Sequence, residues 1–596
     1  MQTKHFFNDP THLVNSALHS ITLTNPSVAF DKENKIIYRR PSQDASAQPK
    51  VSIISGGGSG HEPAFAGFVG KGFLTAAVAG TIFASPSAEQ VRRAVMERVE
   101  TSKGVMIITI NYTGDVLNFG MAAEKAKAAG IETEFFSIGD DVGVSRTKGG
   151  KVGRRGIGGS ILVMKIMGAL AESGASLGEI YTTAQLASQN VVTVGSSLEH
   201  VHVPGREIPS PGANEKIDEG EVEVGMGIHN EPGSHRVKAT LEELIQTMLK
   251  QLLDQNDKDR GFLKWDSCDR FVLFENNLGG VSTLELSGVT AEITLQLEKD
   301  YQIKPVRTIQ GTFLTSLNGM GFSISLLRLA DTGLGLGRSL LELLDAPAEV
   351  VGWTAPIQAS TWAHKSDAIP DGREVSAAEE VASNLRVDLV TFKKALTSGL
   401  DRVIAAENKI TRYDTIVGDG DCGIGLKRGA QAILDLLNDP SIVLNDDVLR
   451  NLNQIISLVE TAMDGTSGAI YAIFLNALAH GLREQDFSSH PTPVTVQIWT
   501  HALQHSLKAL AKYTPAQPGD RTLVDALVPF IHTLAESRDV KAAAFAARTG
   551  AESTKSMKPR LGRSVYVGHE DEWIGKIPDP GAYGLSEFLS GLAEGI

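Results

Sequence analysis

Four short stretches of the chain carry residues whose types and spacing suit chemistry. Gly56-Gly-Gly-Ser-Gly60-His61-Glu62-Pro63 follows a short apolar run, Val51–Ser55. Glycines after a strand let backbone N–H groups approach a polar ligand, and His61 follows at once. The same string also reads as a plain tight turn, or as a phosphate loop without the Walker lysine. Asn111-Tyr-Thr-Gly-Asp115 ends a second apolar run, Val105–Ile110. Asp115 there either accepts a proton from a substrate hydroxyl or caps a helix beginning at Val116. Gly225-Met-Gly-Ile-His229-Asn-Glu-Pro-Gly233 sets His229 between glycines and a Pro-Gly stop. Taken alone, a histidine in such a loop is more often a hydrogen-bonded structural residue. The sharpest stretch is Asp414-Thr-Ile-Val-Gly-Asp419-Gly-Asp421-Cys422-Gly423, with three carboxylates within eight positions. Such carboxylates repel one another unless a cation neutralises them. Hard oxygen ligands of this kind suit Mg²⁺, which bridges nucleotide phosphate oxygens. An EF-hand is excluded, because the spacing differs and Gly425 stands at the twelfth position, where a bidentate Glu is needed.

Weaker strings follow downstream. Asp464-Gly-Thr-Ser-Gly468 precedes an apolar helical pattern and offers N–H groups and hydroxyls to an anion. Pro518-Gly-Asp-Arg-Thr522 and Gly562-Arg563-Ser564 add a turn and a cation, and Asp579-Pro-Gly-Ala582 closes the region. Each alone is an ordinary helix start or turn.

The elements that must hold these groups differ between the two parts of the chain. Before about residue 350, where glycines concentrate, strand, glycine loop and helix alternate. That is the grammar of an open α/β sheet, whose ligands lie beyond the carboxyl ends of strands. Val51–Ser55, Val105–Ile110 and Glu134–Ile138 are predicted strands, and a second α/β subdomain is expected from Tyr181. It includes Glu221–Gly225, Phe271–Phe274 and strands between Thr308 and Leu327. From about Trp353 periodicity fades into a Pro- and charge-rich linker containing Pro356, Pro370 and the run from Ala377. Beyond it Leu452, Ile455, Ile456 and Val459, then Trp499, Leu503, Leu507 and Leu510, form apolar faces at helical spacing. The expected organisation is a half of two α/β subdomains, about 8–180 and 181–353, a linker at 354–387 and an all-α domain at 388–593.

With 596 residues the chain exceeds one hydrophobic core, and length alone suggests about three or four domains. Fifty-six basic against 70 acidic side chains leave a formal charge of −14, which argues against nucleic-acid or anionic-membrane partners. Two cysteines, Cys268 and Cys422, exclude a disulfide framework and a thiolate-rich metal site. The N-terminal residues show no signal-peptide core, and no run of roughly 18 apolar residues occurs. The expected compartment is the cytoplasm.

Taken together, the motifs resemble the dihydroxyacetone kinase family in its single-chain, ATP-dependent form, over nearly the whole chain. Gly57-Gly-Ser-Gly-His61-Glu-Pro63, Asn111–Asp115, Gly227-Ile-His229 and Gly418-Asp-Gly-Asp421 occur in that family's order. The resemblance implies that residues 8–353 bind dihydroxyacetone and 388–593, an eight-helix barrel, bind ATP. It implies that His229 attacks the substrate carbonyl and holds it as a hemiaminal. His61 and Asp115 then orient and deprotonate the terminal hydroxyl beside Gly58, Ser59 and Gly60. Asp414, Asp419 and Asp421 would bind Mg²⁺. ATP would lie against Cys422, Gly423, Ile424 and Gly425, against Thr466, Ser467 and Arg563, and against Asp579, Pro580 and Gly581. A homodimer is implied as well. Three positions depart from the family pattern. Ile110 stands where many members carry lysine, and Cys422 stands where separate bacterial nucleotide subunits carry histidine. His569-Glu-Asp-Glu572 lacks those subunits' second arginine, leaving Arg563 as the strong anion-stabilising candidate there.

A covalent histidine makes physical sense for so small a substrate. At a ceiling of about −1.5 kcal/mol per heavy atom, contacts leave little energy to select a triose, and rejecting a near-isostere by shape is worth only about 1–3 kcal/mol. A neutral imidazole adds reversibly to a ketone or aldehyde but not to an alcohol. The expected activity is therefore ATP-dependent phosphorylation of dihydroxyacetone and D-glyceraldehyde. Two alternatives stand beside it: an added cyclisation of FAD that releases AMP, and a non-enzymatic ligand-binding regulator on the same fold.

Overall fold

The computed structural model describes residues 2–41, 46, 48–207, 217–355, 357–363, 382–441 and 444–596. Of the expected linker, Pro356 and residues 364–381, with Pro370 and the run from Ala377, lie outside the described residues. The chain forms two compact units, Met1–Ile369 and Pro370–Ile596, rather than the three or four expected from length. The reason lies in the first unit, where two sheets share a core. Ile53, Met106 and Ile108 of one sheet and Val272, Phe274 and Leu327 of the other belong to a single buried cluster with the helices Ser160–Glu172 and Leu177–Gln189.

The first sheet runs in the order Val28–Asp31, Ile36–Arg39, Ala76–Ile82, Ser52–Ser59, Val105–Ile110, Thr133–Ile138. Its last four strands are parallel. The chain leaves Ser52–Ser59 for the strand on one side and later returns to the strand on its other side. The carboxyl ends of Ser52–Ser59 and Val105–Ile110 therefore flank a topological switch point, where such sheets bind ligands. The first of these strands is longer than its apolar run suggests. It continues through Gly56–Gly58 to Ser59, with a register shift between Gly57 and Ser59, and turns only at Gly60. Glycine is needed there because the neighbouring backbone comes so close: a Cβ on Gly58 would stand 2.7 Å from the Ala84 nitrogen.

The second sheet is mostly antiparallel, in the order Arg307–Gly311, Phe271–Asn277, Gly321–Arg328, Val191–Ser197, Val222–Val224, His235–Val237. Helices Leu241–Leu253 and Thr283–Tyr301 bury their apolar faces on it.

The second unit is helical: Leu389–Val417, Cys422–Asn438, Val448–Ala462, Gly465–Arg483, Val496–Leu510, Val524–Ser537, Val540–Ser553 and Pro580–Gly595, with a short turn at Glu570–Trp573. Leu452, Ile455, Ile456 and Val459 are buried as the helical spacing requires. Asp388, Asp447, Thr495, Asp539 and Asp579 cap helix N-termini through their side chains. Among the described residues, no helix is long and apolar enough to cross a membrane.

Candidate active site

In the first unit, loops from both sheets bring two histidines together. His61 follows the Gly60 turn and is 1 % exposed. Its Nδ1 lies 2.7 Å from the Thr315 carbonyl, and its Nε2 lies 3.0 Å from Nε2 of His229. A carbonyl only accepts, so His61 carries hydrogen on Nδ1 and turns its Nε2 lone pair toward His229. Burial, reinforced by the neighbouring His229, pushes His61 down to about 3, and the ring is neutral at ordinary pH. Phe83 stacks on it at 5.3 Å.

His229 is held by its own loop. Its Nδ1 is 2.9 Å from Glu231 Oε1, and its backbone N–H donates to Oε2 at 2.8 Å. Burial alone would raise the Glu231 carboxyl, but the hydrogen bond and charge of His229 bring it down to about 2. A Cβ at Gly227 would stand 2.1 Å from Glu231 Oε2, so a side chain there would displace the carboxylate that holds His229. Arg155 donates to the Gly225 carbonyl, Ser316 to the Ile228 carbonyl, and Asn230, at φ +65°, exchanges two hydrogen bonds with Val201. The Tyr112 ring meets His229 edge-on at 4.7 Å.

Asp115 is not the helix cap. The helix begins at Thr113, which places Asp115 in its first turn, 5 % exposed. Its Oδ1 is buried without a partner among the described residues. Burial raises its carboxyl to about 6, against opposing pulls from Ser85 and His229. A buried acceptor left open at a strand's carboxyl end suits a ligand hydroxyl.

The glycine loop supplies shape more than hydrogen bonds. The Ser59 hydroxyl donates to the Gly80 carbonyl at 2.9 Å, and the Gly60 N–H donates to Glu62. Gly58 lets the backbone after Ile82 close over the loop. Ile110 is buried in the core, its Cβ facing Gly156.

In the helical unit a cavity is lined by Asp414, Asp419, Asp421, Cys422, Gly425, Thr466, Ser467, Arg563, Asp579, Pro580 and Gly581. The carboxylates of Asp414, Asp419 and Asp421 approach to within 4.8 Å of one another. Asp414 accepts from the Cys422 N–H at 3.0 Å, and Arg563 pairs with Asp419. Burial pushes the Cys422 thiol up to about 12, with nearby carboxylates adding to the effect, so it is a neutral thiol facing Ser467. Burial likewise raises Asp579 to about 6.

Gly423 and Ile424, expected at the nucleotide, do not line this cavity. On a helix beginning at Cys422, residues 422 and 425 share a face and the two between turn away. Gly423 packs on the preceding helix, where a Cβ would stand 2.3 Å from Thr411 Oγ1, and Ile424 is exposed. Arg521, in contrast, joins the wall. It is 1 % exposed, donates from Nε to Thr554 and from Nη2 to Ile577, lies over Trp573, and keeps Nη1 without a partner among the described residues. The Gly-Asp-Arg-Thr string was its signal, but an arginine in a turn reads as surface until its burial is known.

Residues 19–352 match the Dak1 domain and residues 416–594 the DAK2 domain. The chain is 44 % identical over 611 residues to the dihydroxyacetone kinase of Pichia angusta, covering all of this chain and 98 % of that one. It is 32 % identical over 608 residues to the triokinase/FMN cyclase of Homo sapiens, covering 100 % and 99 % of the two chains. It superposes on the dihydroxyacetone kinase from C. freundii in complex with AMP-PNP and Mg²⁺ with a TM-score of 0.64 at 31 % identity, over the full length of both. The chain belongs to the dihydroxyacetone kinase family.

Proposed function

We propose that this protein phosphorylates dihydroxyacetone, and with it D-glyceraldehyde, at the expense of ATP. The observation that carries the reading is the His61–His229 pair, 3.0 Å apart at Nε2, with His229 braced on Glu231. The two rings hold one proton between their Nε2 atoms. When His229 Nε2 bonds to the substrate carbonyl carbon, that proton passes through His61 to the carbonyl oxygen. The C=O group becomes C–OH, and a hemiaminal forms with no loss of water. Glu231 keeps the ring oriented and stabilises positive charge on it. Asp115, with its open Oδ1, takes the proton of the terminal hydroxyl that becomes the nucleophile toward ATP. Gly58, Ser59 and Gly60 shape the floor.

In the helical unit, Asp414, Asp419 and Asp421 would hold Mg²⁺, which when bound offsets phosphate charge. The fit rests on three converging carboxylates in a cavity that also presents Arg563 and the open Nη1 of Arg521. Thr466 and Ser467, at a helix N-terminus, suit a phosphate oxygen. On this reading residues 8–353, in subdomains of about 8–180 and 181–353, hold the triose, and 388–593 hold ATP. The helical part closes as an eight-helix barrel, a reading supported by each long helix packing on the next and the last, Pro580–Gly595, on the first. A cytoplasmic homodimer completes the proposal.

An ATP-consumption panel over dihydroxyacetone, glyceraldehyde and glycerol tests the assignment. Turnover with the two carbonyl compounds and none with glycerol is expected, and equal turnover of glycerol would overturn it. A second reading, cyclisation of FAD to a flavin cyclic phosphate with release of AMP in the nucleotide half, is favoured by the human relative named as an FMN cyclase. Incubation with FAD and Mn²⁺, followed by assay for AMP, decides it.

A further inference from the structure

We propose a transition-metal site on the outer surface of the helical unit, built by His480, Glu484 and His505. His480 lies in the last turn of helix Gly465–Arg483, and Glu484 is the residue that ends it. His505 lies on the next helix, Val496–Leu510. His480 Nε2 is 3.4 Å from Glu484 Oε1, His505 Nε2 is 3.8 Å from Oε2, and the two rings are 5.1 Å apart. One ligand atom from each of the three lies within 4.8 Å of the others.

A second observation concerns the far side of one ring. His505 Nδ1 is 3.0 Å from the Ala477 carbonyl. That carbonyl can only accept, so Nδ1 carries the hydrogen and the Nε2 lone pair is turned toward Glu484 and His480. Metal-bound histidines are oriented in this way by an acceptor on the opposite nitrogen. Bonds of about 2.0–2.2 Å in a tetrahedron separate ligand atoms by roughly 3.3–3.6 Å. The His480–Glu484 spacing already meets that, and a small rotation of His505 completes the set. Two imidazoles and a carboxylate favour Zn²⁺ over Mg²⁺ or Ca²⁺. Three protein ligands leave a coordination position for water.

None of the three residues lines the nucleotide cavity, and the ligand chemistry differs from that of the aspartate cluster. The helix carrying His480 begins at Gly465–Ser467, in the cavity wall, and the helix carrying His505 ends at Leu510, also in that wall. A bound Zn²⁺ therefore clamps together two helices that frame the nucleotide site, as a stabilising device that takes no part in phosphoryl transfer.

The test is calorimetric titration of the full-length protein with Zn²⁺, with Mg²⁺ in excess to occupy hard-oxygen sites. One equivalent is expected to bind and to raise the thermal midpoint. His480→Ala and Glu484→Gln, both exposed positions, should weaken binding by about 100-fold or more, beyond what loss of an outer partner costs. They should also lose the thermal shift while keeping wild-type turnover with Mg-ATP. His532→Ala is the control and should bind normally. Absence of Zn²⁺ binding to the wild type, or undiminished binding by His480→Ala and Glu484→Gln, overturns the site.

Discussion

His61 and His229 meet at their Nε2 atoms, 3.0 Å apart, each ring turned by the acceptor on its Nδ1: the Thr315 carbonyl for one, the Glu231 carboxylate for the other. The first fixes the hydrogen on Nδ1 of His61, a ring that burial keeps neutral, and leaves its Nε2 as a proton acceptor. The second holds the His229 ring by its Nδ1 and leaves Nε2 facing His61.

Glu231 is thus a positioning residue. Glu231→Gln keeps the shape but removes the charge, and should lower kcat/KM by about 10–100-fold, or about 1.4–2.7 kcal/mol. The loss of a charged partner should also move the acid limb of the pH profile. Steady-state kinetics across pH checks both, and an unchanged profile would assign Glu231 no such role.

Asp115 ties activity to stability. Its carboxyl is raised from 3.8 to about 6 by burial, so the folded state holds a proton that the unfolded chain has released between those values. Stability therefore falls as pH rises through that window, while turnover rises toward and above pH 6 as the base ionises. Asp115→Asn should abolish turnover yet stabilise the protein above pH 6 by about 1–3 kcal/mol, an advantage that vanishes below about pH 4. Paired denaturant titrations at the two pH values measure it.

Arg521 holds two carbonyls, those of Thr554 and Ile577, from a buried position. Arg521→Met strands both and should cost about 2–4 kcal/mol of stability. Arg521→Lys should fold better but show a raised KM for ATP with little change in KM for the triose. Comparison of the two substrate dependences separates the anchoring role from the contribution to the nucleotide wall.

The two cysteines should differ in reactivity. Cys268 is exposed, whereas Cys422 is partly buried with its thiol pushed up to about 12. A thiol-titrating reagent at pH 8 should find one reactive group in the native protein and two after unfolding. Two fast thiols in the native state would contradict the neutral, enclosed Cys422.

Much of this was legible because the chemistry sits in contiguous strings after strands. Gly-His, Asn-Tyr-Thr-Gly-Asp and the triple aspartate mark themselves by residue type and spacing. The supporting residues do not. Thr315 acts through a backbone carbonyl, which any residue possesses. Its loop is held by Asn276, which accepts from Phe313 and Leu314 across the sheet, a contact that no local pattern announces. Glu231 lies inside the His229 motif, but nothing in that string announces its two hydrogen bonds to His229. The resemblance sets ATP against Gly423 and Ile424 as well as Cys422, whereas the helical turn sends those two away from the cavity. The number of compact units was overestimated because length cannot reveal that two sheets share one core.

The account depends most on a bond between His229 and a carbonyl carbon, and native mass spectrometry addresses that directly. Dihydroxyacetone should add one full substrate mass per chain to the wild type and none to His229→Ala, which should also lose turnover, while glycerol should add nothing to either. An adduct of the same mass on His229→Ala, or wild-type turnover by that variant, would contradict it.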